Sequence, residues 1–249
     1  MISIKNFTAR LGNQLFQLAN AMSYADRVGD VVAFPRWQYS HFFQGDFNPV
    51  PDMDRTKMLW SEPGFQYTKI PNGANLLEGY YQSERYFLDI KEEISKSFSF
   101  AESIEKSVIL KNSTIFEPQR PTVSMHLRRG DYLKWPNHHP VMNPDYFEVA
   151  KKNFPTDSVF VVFSDDIPWC KKNFSDGDYI FIEGQSDVED LCLMSLCDHN
   201  CIANSTFSWW GAWLNKNPEK IVVAPNKWFG PAYAHFSTED LYCPGWIRV

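Results

Sequence analysis

Three short polar clusters, each following an apolar run, hold the side chains of this chain that could do chemistry. The first is His126-Leu127-Arg128-Arg129-Gly130-Asp131-Tyr132, after Thr122 to Met125; the second is Ser164-Asp165-Asp166, after Val159 to Phe163. The third, Asn204-Ser205-Thr206-Phe207-Ser208, follows Cys201 to Ala203 and runs into Trp209, Trp210 and Trp213, where Trp210, Trp213 and Leu214 recur at helical spacing. A helix N-terminus has four amides without intrahelical partners and a dipole that favours negative charge, so hydroxyls and amides there suit a phosphate. Taken alone, the segment reads equally well as an ordinary cap, since Ser and Thr are common there. Strand alternation puts His126 and Arg128 on one side. Arginine offers a planar, permanently charged fork for phosphate oxygens, so Arg128 is the leading catalytic candidate, able to stabilise a leaving nucleoside diphosphate.

The other charged groups have competing readings. Arg129 reads as an ion-pair partner of Asp131 or a nearby carboxylate. Asp165-Asp166 could hold a metal, yet Asp-Asp-Ile-Pro is also a good helix start, and a carboxylate there could accept from the exocyclic N–H groups of a purine. Asp176-Gly177-Asp178 has D-x-D spacing but reads as a turn.

The elements that must position these groups are legible in the second half. Strands are expected at Thr122 to Leu127, Val159 to Phe163, Tyr179 to Ile182, Cys201 to Ala203 and Ile221 to Ala224. Between them helices start at Pro144 and Pro168 and run from Val188 to Cys197 and from Phe207 to Asn215. Alternation of this kind implies α/β architecture with a parallel sheet covered by helices. Ligands of open parallel sheets bind beyond the carboxyl ends of the strands, and all three clusters fall there. The first half opens with a strand, Met1 to Asn6, and a helix whose Leu15, Leu18, Ala19 and Met22 share a face. Residues 31 to 79 suggest short strands and large loops, and a helical region is expected from Ser83 to about Ser107. Pro118 and Pro121 bracket an expected hinge, giving lobes 1–117 and 118–249.

Composition narrows the class. Hydrophobic residues make up 44% of 249 positions, enough for a substantial core, and the net charge of −6 argues against a reader of nucleic-acid backbones. Aromatic content of 16% suits sugar faces as well as cores. Five cysteines without a C-x-x-C pair indicate neither a disulfide scaffold nor a zinc site. No window approaches the roughly 18 apolar residues of a membrane span, and the start at Met1-Ile2-Ser3 reads as an unprocessed, soluble, cytoplasmic protein.

Arg10-Leu11-Gly12-Asn13-Gln14-Leu15-Phe16-Gln17, Gly79-Tyr80-Tyr81-Gln82-Ser83-Glu84 with Tyr86-Phe87, His126 to Tyr132, Ser164 to Asp166 with Trp169-Cys170, and Asp190 through Leu214 complete a pattern. In that order they resemble the α1,2-fucosyltransferases of glycosyltransferase family eleven over nearly the whole chain. The resemblance implies a GT-B-like fold of two Rossmann-like lobes, an N-terminal acceptor side and a C-terminal lobe for the donor GDP-fucose. It also implies inverting transfer to the 2-hydroxyl of a galactoside, with neither metal nor cofactor. In that frame Arg128 meets the donor diphosphate, His126 lies beside the nucleotide, and Asp165 or Asp166 reads guanine, with Ser164 in the same cluster. Asn204, Ser205, Thr206, Phe207 and Ser208 form the phosphate and ribose turn, and Asn13 reaches the fucose or diphosphate. Animal members carry an N-terminal membrane anchor that this chain lacks, so it is closer to the soluble bacterial or viral type. It is also short for the family, with the missing length expected in acceptor-selecting loops.

Inverting transfer needs an acceptor hydroxyl opposite the nucleotide, a proton sink and a stabilised leaving group. Candidate bases are Asp131, Glu78 and Glu84, and a dissociative route with a weak base is an equal alternative. Rival readings are a fucosyltransferase of another linkage, a non-catalytic sugar-nucleotide or glycan-binding protein, and a metal-dependent transferase using Asp176 and Asp178. Trp210 and Trp213 share a helical face and are expected to pack, leaving only Trp209 as a candidate sugar contact.

Overall fold

The computed structural model describes residues 1–49, 57–116 and 120–249. The expected hinge residue Pro118 lies outside them. Two compact units are present: Met1–Ala101 with Phe236–Cys243, and Glu102–His235 with Pro244–Val249.

The first unit is built on β1 (Ile2–Ile4), followed by α1 (Leu11–Val28), β2 (Val32–Ala33), β3 (Leu59–Ser61), β4 (Leu76–Glu78) and α2 (Lys91–Ser97). The strands are all parallel in the order β2-β1-β4-β3. Helix α1 buries Leu11, Leu15, Phe16, Leu18, Ala19 and Ala21, the apolar stripe its sequence predicts. It stops at Gly29, whose φ of 66° is a left-handed cap that glycine adopts without a Cβ penalty.

The second unit begins with α3 (Glu102–Lys111) and α4 (Ser113–Phe116), then alternates β5 (Thr122–Leu127), α5 (Pro144–Lys151), β6 (Val159–Ser164), α6 (Ile167–Asn173) and β7 (Tyr179–Phe181). It continues through α7 (Asp187–Leu196), β8 (His199–Cys201), α8 (Thr206–Leu214), β9 (Val222–Ala224) and β10 (Ile247–Arg248). Six parallel strands run in the order β10-β9-β8-β5-β6-β7. Every residue of β5 is buried and β6 is buried up to Phe163, as central parallel strands covered on both faces must be. Helix α7 is entered by a capping box in which Ser186 and Glu189 satisfy each other's backbone amides. It packs closely on α8, since a Cβ on Gly211 would lie 2.8 Å from Met194 Cβ.

Several expectations are corrected. The units part between Ala101 and Glu102 rather than at 117/118, because α3 and the turn after it are tied to the second unit by the Lys111–Glu189 ion pair and a 3.0 Å bond from Gln185 Nε2 to Asn112 Oδ1. Residues 236–243 return to the first unit, where Asp240 accepts from the Tyr67 amide at 2.8 Å and pairs with Arg85 at 2.6 Å. The expected strand Cys201–Ala203 is instead His199–Cys201; the Ile202 amide still donates to the Val223 carbonyl at 2.9 Å, and Ala203 is buried beyond the strand. The helical region after Ser83 is broken, with turns at Glu84–Tyr86 and Leu88–Ile90 before α2 and a separate α3.

Candidate active site

Register brings the clusters together. Leu127 of β5 pairs with Ser164 of β6, and Met125 of β5 pairs with Cys201 of β8. Three adjacent parallel strands therefore end at one edge, and the chain leaves each of them into one cluster.

Arg128 is the centre of this edge. Its side chain is 15% exposed; one terminal nitrogen lies 2.9 Å from Asp165 Oδ2 and the other 2.7 Å from Asp131 Oδ1. Asp165 does more than pair with it. Its Oδ1 accepts from the amides of Arg129 at 2.9 Å and Gly130 at 3.1 Å, so one carboxylate holds both the guanidinium and the loop that carries it. Gly130 permits that approach, since a Cβ there would lie 2.5 Å from Asp165 Oδ2. Asp166 serves the next layer: Oδ1 caps α6 through the Trp169 amide at 3.2 Å, and Oδ2 takes Arg129 Nε at 3.0 Å. The Arg129 guanidinium lies 3.6 Å from the centre of the Trp169 ring, a cation–π contact that keeps it flat. Ser164 Oγ accepts from the Asp166 amide at 3.0 Å. Ser164, Asp165 and Asp166 thus brace the two arginines.

His126 lies on the same edge, 6% exposed, with its ring centre 5.6 Å from that of Phe207. Burial, followed by the Arg128 charge, pushes its pKa down to about 3, so the imidazole is neutral at pH 7. Its Nδ1 is buried without a hydrogen-bond partner among the described residues. Asn204 donates through Nδ2 to the carbonyls of Pro140 at 3.0 Å and Trp228 at 2.9 Å, while its Oδ1 is a second buried atom without a partner among the described residues. Native proteins leave few such atoms, and two of them fall within these clusters.

The turn into α8 behaves as a cap as well as a site. Ser205 Oγ accepts from the Phe207 amide at 3.3 Å, and Ser208, 2% exposed, donates back to the Ser205 carbonyl at 3.3 Å. Ser205 and Ser208 are buried and hold the turn, which leaves the partly exposed Thr206 and Phe207 at its surface. Trp209 is corrected from sugar contact to core: it is fully buried, stacked on Trp213 at 6.3 Å and edge-on to Trp210 at 5.1 Å.

Two residues that carry the site had no assigned role in the sequence. Tyr132 donates to the Asn204 carbonyl at 3.0 Å, joining the first cluster to the third, and its phenol is pushed up to about 12, chiefly by burial. Trp169 is the other. Both stand inside the recognised motifs, but nothing in their spacing says which arginine or loop they touch. A cavity of about 430 Å³ in this unit is lined by Arg120, Thr122, His199 and Asn217, at the opposite ends of β5 and β8, and lies away from these clusters.

Asn13 sits in the first unit, in the first turn of α1, and its Oδ1 accepts from Gln82 Nε2 at 2.9 Å. Of the other candidate bases there, Glu78 is paired with Lys5 at 2.7 Å, and Glu84 is 6% exposed with Lys91 at 3.7 Å.

Residues 48–249 match the family model for glycosyl transferase family 11. The chain belongs to that family. An Escherichia coli α-1,2-colitosyltransferase is 35% identical over 98% of this chain and 86% of its own length. The mouse galactoside 2-α-L-fucosyltransferase Sec1 is 28% identical, covering 96% and 72%. The O-antigen biosynthesis glycosyltransferase WbnK of Escherichia coli is 42% identical over 59% of this chain, a stretch spanning about half, 48%, of that relative. Among solved structures, the NodZ α-1,6-fucosyltransferase soaked with GDP-fucose superposes with a TM-score of 0.53 at 15% identity, covering 86% of this chain and 92% of NodZ. That likeness is one of fold, the GT-B-like α/β class with a Rossmann-like sheet in each unit. The family-11 glycosyltransferase thus has its expected fold, and no helix among its described residues is long and apolar enough to cross a membrane.

Proposed function

We propose that this glycosyltransferase moves L-fucose from GDP-fucose to the 2-hydroxyl of a galactoside, with inversion at the anomeric carbon and without a metal. The observation that carries the reading is Arg128, held at the meeting point of three strand ends by a carboxylate that also fixes its backbone loop. A guanidinium fixed before the reaction needs no reorganisation as charge develops on the departing diphosphate, the condition under which electrostatic stabilisation is strongest. The diphosphate replaces the Asp131 partner. That ion pair is the more exposed of the two, with Asp131 46% exposed, and exposed pairs contribute only about 0–1 kcal/mol.

Thr206, Phe207 and the first amides of α8 take the phosphates, and neutral His126 lies beside the nucleotide. Its role there is packing and hydrogen bonding, not charge. Asn13 is assigned to the fucose or diphosphate. Asp131, released from Arg128 by the diphosphate, is the carboxylate of this edge left to take the proton, and an oxocarbenium-like route places weak demands on it. The absence of a metal rests on Asp165 and Asp166 being used as arginine braces. Asp176 and Asp178 are set apart on the turn before β7, where Asp178 pairs with Arg120.

The α-1,2-colitosyltransferase relative favours one second reading, the same linkage made from a nucleotide-activated colitose. Purified protein is to be given GDP-fucose or GDP-colitose with a panel of β-galactosides, in EDTA, and the product linkage determined by NMR. An α1,2-fucosyl product with inverted configuration is expected. Transfer only from GDP-colitose, a different linkage, or nucleotide binding without turnover across the panel refutes the proposal.

A further inference from the structure

The segment Gly79–Ser83, part of a motif to which the site assigns no role, leaves β4 at the carboxyl edge of the first unit's sheet. It is held in an unusual shape. Glu62 Oε2 accepts from the amides of both Tyr80 and Tyr81 at 2.8 Å. Tyr81 has a φ of 54°, a left-handed conformation that a bulky residue adopts only where its surroundings impose it. Gly79 makes room for the clamp, since a Cβ there would lie 2.5 Å from Glu62 Cβ. The Gly79 carbonyl accepts from Gln17 Nε2 of α1 at 2.8 Å. The clamp and the kink at Tyr81 bring the next residue, Gln82, against the start of α1, where its Nε2 donates to Asn13 Oδ1 at 2.9 Å.

Gln82 is 6% exposed, and its Oε1 is buried without a partner among the described residues. Such an atom is costly, so the residue is not there for its own stability. The reverse arrangement, with Asn13 donating to Gln82, buries two N–H donors of Gln82 instead of one carbonyl, and native proteins tolerate unpaired donors less than under-satisfied carbonyls. The amide of Asn13 therefore has one preferred sense. Its Oδ1 is taken, and its Nδ2, which makes no hydrogen bond among the described residues, keeps two N–H donors for an acceptor elsewhere.

We propose that Gln82 is a positioning residue: held by the Glu62 clamp, it locks the Asn13 carboxamide so that Nδ2 is presented as a hydrogen-bond donor to the oxygens of the sugar-nucleotide donor. The inference rests on the reading of Asn13 as a donor contact. Gln82→Met keeps the volume and removes the bond. Gln82→Glu can only accept, so it turns Asn13 around and presents Oδ1 where Nδ2 stood.

The experiment has two arms. In the first, the side-chain ¹⁵N–¹H₂ signal of Asn13, assigned by its loss in Asn13→Ala, is followed in folded Gln82→Met and Gln82→Glu, with thermal melting as the check on folding. The signal shifts and broadens in Gln82→Met and moves to a different hydrogen-bonded position in Gln82→Glu; an unchanged signal in both overturns the inference, whatever the substrate. In the second, kcat and KM for GDP-fucose are measured in native and Asn13→Ala backgrounds. Gln82→Met lowers kcat at least tenfold in the native background and less than twofold in Asn13→Ala, because its effect passes through Asn13. Equal losses in both backgrounds mark a merely structural residue and overturn the proposal. Altered Asn13 signals in variants of a native protein that shows no fucosyl transfer sink the functional reading alone.

Discussion

Asp165→Asn separates two roles for the residue at the heart of the site. The substitution is isosteric, and its amide oxygen can keep the two backbone bonds that Oδ1 now accepts from Arg129 at 2.9 Å and Gly130 at 3.1 Å. The other branch becomes an NH₂ facing an Arg128 nitrogen that now lies 2.9 Å from Oδ2. A charge-assisted bond worth about 1.5–3 kcal/mol net is replaced by donor against donor. With the two side chains 15% and 26% exposed, solvent screening reduces the stability loss to about 1–2 kcal/mol. The guanidinium must swing toward Asp131, away from its fixed position, and kcat/KM for transfer from GDP-fucose is expected to fall roughly 10- to 100-fold, or about 1.4–2.7 kcal/mol. The assay is GDP release, with GDP and ADP affinities measured by calorimetry. A brace for Arg128 weakens both nucleotides by the same factor, since both carry the diphosphate. Unchanged kcat/KM, or a loss confined to GDP while ADP binds as before, assigns Asp165 to the base and refutes the reasoning.

Other outcomes follow from the same geometry. Arg128→Ala should abolish transfer with the fold intact by circular dichroism, and retention of more than about a tenth of the rate, a loss under roughly 1.4 kcal/mol, removes its role. Gly130→Ala pushes a methyl to within 2.5 Å of Asp165 Oδ2, so activity should drop with the Asp165→Asn variant as its mimic; wild-type kinetics would show that the loop has slack. His126 has a folded pKa near 3, below the 6.5 of a free imidazole. Between those values the unfolded chain binds the extra proton, so this residue's contribution is full above pH 6.5 and lost as pH falls; urea midpoints at pH 5 and 7 should differ less in His126→Phe than in the native protein. Asp190 shows the opposite sign, its pKa raised to about 7 by burial and by Asp187 and Glu189. Its burial becomes more costly as pH rises from 4 to 7, so Asp190→Asn should raise the melting temperature at pH 8 and change it little at pH 4.

How much was legible depended on the range of the interaction involved. The continuous apolar run at Val159 to Phe163 and the alternation around it were enough for a parallel sheet, because strands buried on both faces admit little else. The same logic placed three polar clusters at strand ends. It misjudged the strand at His199–Cys201, where polar His199 and Asn200 are buried in the ladder and apolar Ala203 lies beyond it. Hydropathy there reports burial, not pairing. The division between units was also misplaced, since a helix such as α3 belongs to whichever unit its Lys111 and the following Asn112 bind.

The sequence by itself determined which residue types gather at the carboxyl edge, because chain order and strand polarity dictate it, and it placed the chain among the fucosyltransferase-like glycosyltransferases through motifs such as His126 to Tyr132. Only the tertiary structure decided what each side chain does there. Asp165 and Asp166 brace arginines, Ser208 and Asn204 hold a turn, Trp209 is core, and Gln82 reaches Asn13 from 69 residues away. Local spacing carries the period of a helix or strand. It carries no information on which of several identical carboxylates or amides meets a given partner, since that is set by register, loop path and a few tenths of an ångström of approach.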